Sequence, residues 1–170
     1  MKNALLIILI SFWKILILFP IKFQYVLATV IGSLINLLPL KRNKISKVNI
    51  ELCFKDLNKH DRNKIHKENT IEFAKAIFYT GIAWFWSNER IKKNIPYKIN
   101  GLQDILRNQD AGNGILLLFK HSLHLELDSR IIAMHAEIYG IERKHNSKMF
   151  ENIQRSGRLK SLRGITDRDN

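Results

Sequence analysis

The chain contains 170 residues, of which 46% are hydrophobic, and carries 28 Lys and Arg against 15 Asp and Glu, a net charge of +13. This length suits one domain with a modest core and excludes a large multidomain assembly, and the apolar content with only 3 prolines excludes a mostly disordered chain. A single cysteine excludes an internal disulfide framework, and the positive charge favours acidic partners: nucleic acid, anionic lipid or an acidic protein.

The amino-terminal residues 4–40 are strongly apolar. Uncharged runs cover residues 4–13 and 23–40, with two lysines and a proline between them. A helix needs roughly 20 apolar residues to cross a bilayer core. The region therefore predicts a membrane anchor over residues 1–40, either one tilted span or a bent pair lying partly in the interface. A secretory signal peptide is the alternative, but a second apolar run follows where a cleavage site is expected.

The charges around this region predict its orientation. Only Lys2 precedes the apolar residues, whereas Lys41, Arg42, Lys44 and Lys47 follow them. Because basic residues stay on the cytoplasmic side, the bulk of the chain is expected there. The same basic cluster is suited to contact anionic headgroups.

Residues 41–170 form the second predicted region. Periodicity and turn signals predict one long helix or two close ones over 58–86 with a break at Gly81, a short strand over 95–100 and a short helix over 102–107. Four residues from Ala83 to Trp86 form an aromatic cluster, which favours core packing or an interfacial belt over ligand binding.

One short segment carries residues suited to catalysis. A glycine-rich turn over 112–114 precedes the apolar run 115–119, which predicts a strand buried on both faces, and a helix is predicted over 125–139. His121 and Glu126 follow the strand directly. Sites in open α/β sheets lie just past the carboxyl ends of strands, so these two side chains are candidates for the site.

His121 and Glu126 suggest a catalytic dyad. A neutral imidazole accepts a proton from a hydroxyl near pH 7, and a carboxylate on its other nitrogen fixes the tautomer. Pairing requires His121 to precede the helix, with Glu126 reaching back from the first turn. His124 and Asp128, four residues apart on one helical face, are the alternative pair. Spacing alone leaves both pairs open, because His and acidic residues are often neighbours.

The segment from Gly114 to Glu126 resembles the H-x4-[D/E] block of the late acyltransferases of lipid A biosynthesis, the lauroyl and myristoyl family. Three further stretches resemble family segments: 49–54 after the membrane anchor, the Trp-rich 81–90, and 156–161 with Asp167-Arg168. The resemblance covers nearly the whole chain. It implies a glycerolipid acyltransferase-like α/β fold with an N-terminal membrane-anchoring helix.

The resemblance also implies an activity and its residues. Family members transfer a fatty acyl chain from acyl carrier protein to a hydroxyl of a Kdo-bearing lipid A precursor. His121 matches the general base, Glu126 its partner, and Arg158 a functional arginine. Arg143 matches a substrate-binding arginine that follows a tyrosine in the family, and Glu142 stands in that tyrosine's place.

Location and partners follow from the same resemblance. The chain is expected at the Gram-negative inner membrane, with acyl carrier protein and the anionic lipid A precursor as partners. No cofactor is expected beyond the acyl carrier thioester, which is a substrate, and no metal-ligand spacing or nucleic-acid motif is present. The basic charge fits these acidic partners, although a solvated basic tail also explains the arginines of residues 141–170.

Asn170 falls roughly halfway along the family's length, which predicts a truncated, amino-terminal fragment. Family membership and present activity are therefore separate expectations. The alternative to an active acyltransferase is a non-catalytic, membrane-associated remnant. We expect no acyltransferase activity from residues 1–170 alone.

The apolar runs predict how the chain is held at a membrane. It is expected to sediment with inner membranes and to stay there in high salt, because salt screens charge but does not weaken apolar insertion. Sedimentation after a high-salt wash, with a carbonate wash in parallel, checks this. Release by salt alone would show that charge holds the chain at the membrane.

Overall fold

A computed structural model describes residues 2–169, with side chains from Ala4 onward. Its elements are α1 (Lys2–Leu16), α2 (Ile21–Leu37), α3 (Lys41–Cys53), α4 (Lys59–Phe85), α5 (Asn88–Asn94), α6 (Leu102–Asp110), α7 (Leu125–Ala133), β1 (Tyr139–Glu142), α8 (Lys148–Arg158) and β2 (Gly164–Asp167). The predicted α/β class is therefore confirmed only in part, since the described chain is mostly helical with a small sheet. Asn170 and the side chain of Lys2, used above for the fragment end and the orientation, lie outside the described residues.

The chain divides into two compact units. The helical unit is Ile15–Phe78, and the sheet unit combines Met1–Lys14 with Tyr79–Asn170. The predicted boundary after Leu40 separates a membrane anchor from the remainder. The two compact units do not test this boundary, because they describe how the chain packs and not which part of it enters a membrane. The boundary therefore stays a prediction.

Close packing in the helical unit depends on a glycine and a buried amide. A Cβ on Gly32 would lie 2.5 Å from the Cα of Ile71, so only glycine lets α2 approach α4 this closely. Gln24 is buried and donates to the carbonyl oxygens of Ile17 (3.2 Å) and Phe19 (2.8 Å). These bonds satisfy backbone carbonyls in the turn between α1 and α2.

The apolar amino-terminal region folds as two helices, because the chain turns after Leu16 and restarts a helix beyond Pro20. Among the described residues, no single helix has both the length and the apolar character to cross a membrane. The pair α2 and α3 meets the length and composition test together but is bent by 85°, and Ala4–Leu16 is a shorter apolar helix. The predicted single tilted span is therefore not formed.

The sheet unit packs around aromatic side chains. Trp84 is 3% exposed and meets Trp13 and Phe150 edge-on, with ring centroids 5.6 and 5.7 Å away. These contacts confirm core packing for part of the aromatic cluster. Edge-to-face pairs stabilise beyond the area they bury, so this cluster fixes the end of α4 in the unit.

A parallel pair of strands positions the candidate site. β1 pairs with β2 in the register that runs from Tyr139–Gly164 to Glu142–Asp167, and α8 forms the crossover between them. The carboxyl end of β1 therefore lies beside α8. Neither strand was predicted, since each is only 4 residues long and neither is a continuous apolar run.

The predicted buried strand over residues 115–119 is wrong. The run is extended but belongs to no sheet, and Leu116 and Leu118 are 80% and 87% exposed. Its backbone forms no hydrogen bond with other described residues. A strand requires a partner, and β1 and β2 pair with each other instead.

Of the other predicted elements, two are confirmed and two differ in the structure. The helix predicted over 58–86 is confirmed as the single helix α4. The predicted break at Gly81 is wrong, because the helix continues through this residue. Glycine costs a helix roughly 1 kcal/mol, and the burial of side chains around Phe78–Trp84 outweighs that cost. The helix at 102–107 is confirmed within α6. Residues 95–100 form no strand, and the helix predicted over 125–139 ends at Ala133.

His66 is a buried titratable group in the helical unit. It is 2% exposed, and its Nδ1 donates to Asn36 Oδ1 at 2.6 Å, whereas its Nε2 is buried without a hydrogen-bond partner among the described residues. Burial lowers the pKa of His66 below 6.5, and Lys47 lowers it further, although a backbone bond at Asn43 opposes this.

The stability of the helical unit is therefore expected to depend on pH. The lowered pKa means that unfolded His66 takes up a proton more readily than the folded residue. Its contribution is complete above about pH 6.5 and is lost as pH falls through the lower, folded-state pKa. His66→Gln should reduce the pH slope of the unfolding free energy, by at most ~1.4 kcal/mol per pH unit.

Denaturant unfolding in detergent between weakly acidic and neutral pH measures this slope. His60→Gln is the matched control, because His60 is exposed on the same helix. Equal slopes in the wild type and in His66→Gln would contradict the assignment to His66.

Candidate active site

Glu126 lies in the first turn of α7 and is held by two other elements. Trp84 donates its Nε1–H to Glu126 Oε2 at 2.8 Å. Arg158, at the end of α8, donates its Nε–H to the same oxygen at 3.1 Å and pairs through Nη2 with Oε1. The carboxylate thus accepts three donors, one from Trp84 and two from Arg158.

Arg158 extends this pair to the carboxyl end of β1. Its Nη1 donates to Glu142 Oε2 at 2.6 Å, and Arg155 donates from one turn earlier to Glu142 Oε1 at 3.1 Å. Arg155 also donates to the carbonyl oxygen of Ile165 on β2 at 2.6 Å. The four charges therefore balance, and they join α7, α8 and both strands.

Burial and pairing act against each other on Arg158. Burial lowers the pKa of its guanidinium, but the hydrogen bonds and charges of Glu126 and Glu142 more than compensate, so the pKa is raised. Arg158 therefore remains a cation throughout the working pH range. It is a fixed positive charge that can stabilise an anion but cannot act as a proton donor.

A close approach between α8 and Trp84 sets the position of Arg158. A Cβ on Gly157 would lie 2.5 Å from the Cβ and 2.6 Å from the Cγ of Trp84. Arg130, 4% exposed, contacts the Gly157 carbonyl at 3.5 Å and donates to Asn88 Oδ1 at 2.7 Å. Trp84 thus contacts Glu126 directly and supports Arg158 through the residue before it.

The charged cluster borders an apolar cleft of about 830 Å³. Its apolar lining includes Ile115, Leu117, Phe119, Ile141, Leu162 and Ile165, and its polar lining includes Glu126, Glu142 and Arg158. The cleft therefore combines a long apolar surface with a fixed cation. This combination suits a ligand with a hydrocarbon chain and a polar reacting end.

The other predicted site residues lie outside this cleft. His121 is exposed in the coil before α7, and no hydrogen bond joins it to Glu126 among the described residues. Arg143 is exposed just beyond β1 and forms no ion pair with another described residue. The alternative pair is also not formed. His124 meets Tyr79 edge-to-face, with ring centroids 4.7 Å apart, and no hydrogen bond joins it to Asp128 among the described residues.

The structure thus brings together Glu126 and Arg158 but leaves His121 and Arg143 apart. It also adds Trp84, Glu142 and Arg155, which the sequence did not identify as site residues. The sequence offered one indication that Glu142 belongs to the site, since this acidic residue directly follows a short apolar stretch. The sequence offered no such indication for Trp84, because a tryptophan that donates a hydrogen bond in a site looks the same in sequence as one that packs in the core. Among residues 2–169, no three His, Cys, Asp or Glu side chains gather in a metal-binding arrangement.

Comparisons with known proteins give a consistent result. A family model described as bacterial lipid A biosynthesis acyltransferase matches residues 1–170. The chain is 40% identical over 128 residues to a lipid A biosynthesis acyltransferase of Haemophilus influenzae, covering 75% of this chain and 40% of that protein. Two Escherichia coli proteins also match. A lipid A biosynthesis palmitoleoyltransferase is 31% identical, and the match covers 85% of this chain and 46% of that protein. A lipid A biosynthesis lauroyltransferase is 32% identical, and the match covers 88% of this chain and 48% of that protein.

The chain spans less than half the length of these curated relatives. No solved structure matches it at a significant level.

The contact between Gly157 and Trp84 generates a stability prediction. Gly157→Ala is expected to destabilise the sheet unit by ~1–3 kcal/mol, because the added methyl overlaps the Trp84 side chain and backbone. Urea unfolding followed by tryptophan fluorescence measures the change. Gly114→Ala is the matched control, since an added Cβ there meets nothing within 4 Å. Equal stability of both variants would show that α8 moves freely away from Trp84.

Proposed function

The chain belongs to the bacterial lipid A biosynthesis acyltransferases, and on this premise we propose that it supplies the amino-terminal part of an acyl-transfer site. The proposed reaction moves a fatty acyl chain from acyl carrier protein to a hydroxyl of a Kdo-bearing lipid A precursor. One observation carries the proposal: the ion pair of Glu126 and Arg158 lies in the lining of an apolar cleft.

The cleft supports the acyl chain as one substrate. Ile115, Leu117 and Phe119 line one part, and Ile141 and Ile165 line another. A hydrocarbon chain in this cleft removes both its own surface and these side chains from water. Arg158 would then lie at the polar end of the chain, beside the thioester carbonyl.

The proposed step needs a general base and a positive charge that stabilises the developing oxyanion. His121 takes the proton of the acceptor hydroxyl, whose oxygen attacks the thioester carbon. Arg158 stabilises the negative charge that develops on the carbonyl oxygen. The carbon–sulfur bond then breaks, and the leaving thiolate takes the proton from the imidazolium of His121. Glu126 holds Arg158 in place and is the proposed partner of His121 in the complex with substrate.

Charge supports the proposed partners and location. Arg143 is exposed and free of described ion pairs, so it is available for a phosphate or carboxylate of the lipid A precursor. Acyl carrier protein is acidic and complements the net charge of +13. We place the chain at the inner membrane, with its bulk on the cytoplasmic side, because basic residues follow the apolar helices.

A second candidate function is a non-catalytic, membrane-associated remnant of such an enzyme. The exposed run over residues 115–119 favours it, because Leu116 and Leu118 face solvent and the backbone groups are unpaired among the described residues. An open apolar edge of this kind leaves the cleft without a wall to exclude water.

A chimera tests the catalytic proposal. Residues 1–170 are fused to the remaining carboxyl-terminal part of the Haemophilus influenzae relative, and transfer from acyl carrier protein to a lipid A precursor is measured in mild detergent. His121→Ala is expected to lower turnover by roughly 10²–10⁴, the usual contribution of a general base. His124→Ala should cost far less.

The unfused chain is the matched comparison and is expected to leave the acceptor unmodified. Turnover of the unfused chain above that of its own His121→Ala variant would show that the first part suffices. In the chimera, a larger loss from His124→Ala than from His121→Ala would move the base to His124. An inactive but folded chimera would favour the remnant.

A further inference from the structure

Helix α3 has one face that packs into the helical unit. Asn43 and Ile50 lie on this face and are each 8% exposed. The Asn43 side-chain amide donates to the carbonyl oxygens of Ile35 at 2.6 Å and Leu38 at 2.9 Å, at the end of α2. These bonds add a side-chain donor to backbone carbonyls at the end of α2 and connect α3 to that end across the 85° bend.

The opposite face of α3 presents an apolar stripe. Ile45, Val48 and Leu52 are spaced by three and four residues and lie on one side of the helix, between 51% and 61% exposed. On a helix that packs only into its own unit, apolar residues face inward. Here, apolar side chains project from both the packed and the unpacked side.

Cations border this stripe. Lys41 lies at the amino-terminal end of the stripe, one turn before Ile45, with Lys44 on one side and Arg42 on the other. All three are exposed, and none forms an ion pair with another described residue. Long basic side chains can lie along apolar surface while their charged ends reach a polar layer. The stripe and its border therefore match the interface of a bilayer that carries negative headgroups.

The geometry points to α3 as a helix that lies in the plane of the membrane and binds anionic phospholipid, with Ile45, Val48 and Leu52 inserted and Lys41, Arg42 and Lys44 at the phosphates. This inference deepens the membrane location in the proposed function and rests on it.

The neighbouring helix supports a bilayer over an acidic protein as the occupant. The exposed apolar surface continues onto α2 through Leu37, Leu34 and Val30, which are at least half exposed and have no charged residue between them. An uncharged extension of this kind suits hydrocarbon rather than an acidic protein surface. Because α2 and α3 meet at nearly a right angle, α3 lies in the membrane plane when α2 points into the membrane.

A cleft beside α3 repeats the same chemistry. Lys41 and Arg42 border it, and Ile45, Phe54 and Ile65 contribute to its apolar floor. Its volume of about 960 Å³ accommodates part of a lipid whose phosphate lies at the two cations. The cleft and the stripe share Lys41 and Ile45, so the cleft presents cations next to apolar surface beside the stripe.

The only cysteine of the sequence provides the readout. Cys53 is exposed at the carboxyl end of α3, so an environment-sensitive fluorophore on its thiol reports on this helix alone. The full 170-residue chain is reconstituted into vesicles of phosphatidylcholine, with or without phosphatidylglycerol. Docking of α3 is expected to shift the emission to the blue in anionic vesicles, with stronger quenching by a nitroxide near the headgroups than by one deep in the bilayer.

Matched triple variants separate charge from insertion. Lys41→Gln, Arg42→Gln and Lys44→Gln together should lower the ratio of docked to undocked α3 by on the order of a hundredfold, at roughly fivefold per basic residue. Lys59→Gln, Lys64→Gln and Lys67→Gln, on exposed positions of α4, remove the same charge and should change it far less. Ile45→Ser, Val48→Ser and Leu52→Ser should abolish the blue shift.

Three outcomes would overturn the inference, and the wild-type chain alone can give each of them. Equal emission shifts in neutral and anionic vesicles would exclude recognition of anionic lipid. A chain that sediments with vesicles but shows no shift would exclude docking of α3 and leave the proposed membrane location intact. A shift produced by acyl carrier protein without vesicles, and absent with them, would assign the surface to that protein.

Discussion

The ion pair between Glu126 and Arg158 connects the parts of the sheet unit that form the cleft. Glu126 begins α7, Arg158 ends α8, and Glu142 at the end of β1 shares the same guanidinium. The Glu142 carboxylate is 8% exposed, so loss of Arg158 would leave a buried charge with reduced compensation, which costs several kcal/mol in proteins. The cluster therefore both stabilises this end of the unit and fixes a cation at the border of the apolar cleft.

Packing around Trp84 explains why this ion pair has a defined geometry. The indole is buried among aromatic rings and offers its N–H to Glu126, while its Cβ and Cγ leave no room for a side chain at position 157. One buried residue thus positions the carboxylate by a hydrogen bond and the arginine by a steric limit. A side chain at position 157 would overlap Trp84, so the position of Arg158 beside Glu126 depends on glycine there.

Two apolar surfaces remain exposed, and the sequence indicated them differently. The run over 115–119 had the composition of a buried strand, yet without a pairing strand it stays extended and exposed. The apolar residues of α1 and α2 were predicted from their composition to anchor the chain in a membrane, and many of them are exposed in the structure. The anchor stays a prediction. Composition indicates that a surface avoids water, but it does not indicate which other surface covers it.

Sequence alone determined the apolar amino-terminal region and the long helix α4, because residue type and local spacing are sufficient for both. It also carried the family resemblance, which made Arg158 a candidate and favoured Glu126 over the alternative pair. Only the tertiary structure decided that Glu126 pairs with Arg158 and Trp84 rather than with His121. The two bonds span 32 and 42 residues and depend on how α8 packs beside β1 and against Trp84. The spacing of residues along the chain does not predict such contacts, because the fold of the intervening helices and strands decides which distant side chains meet.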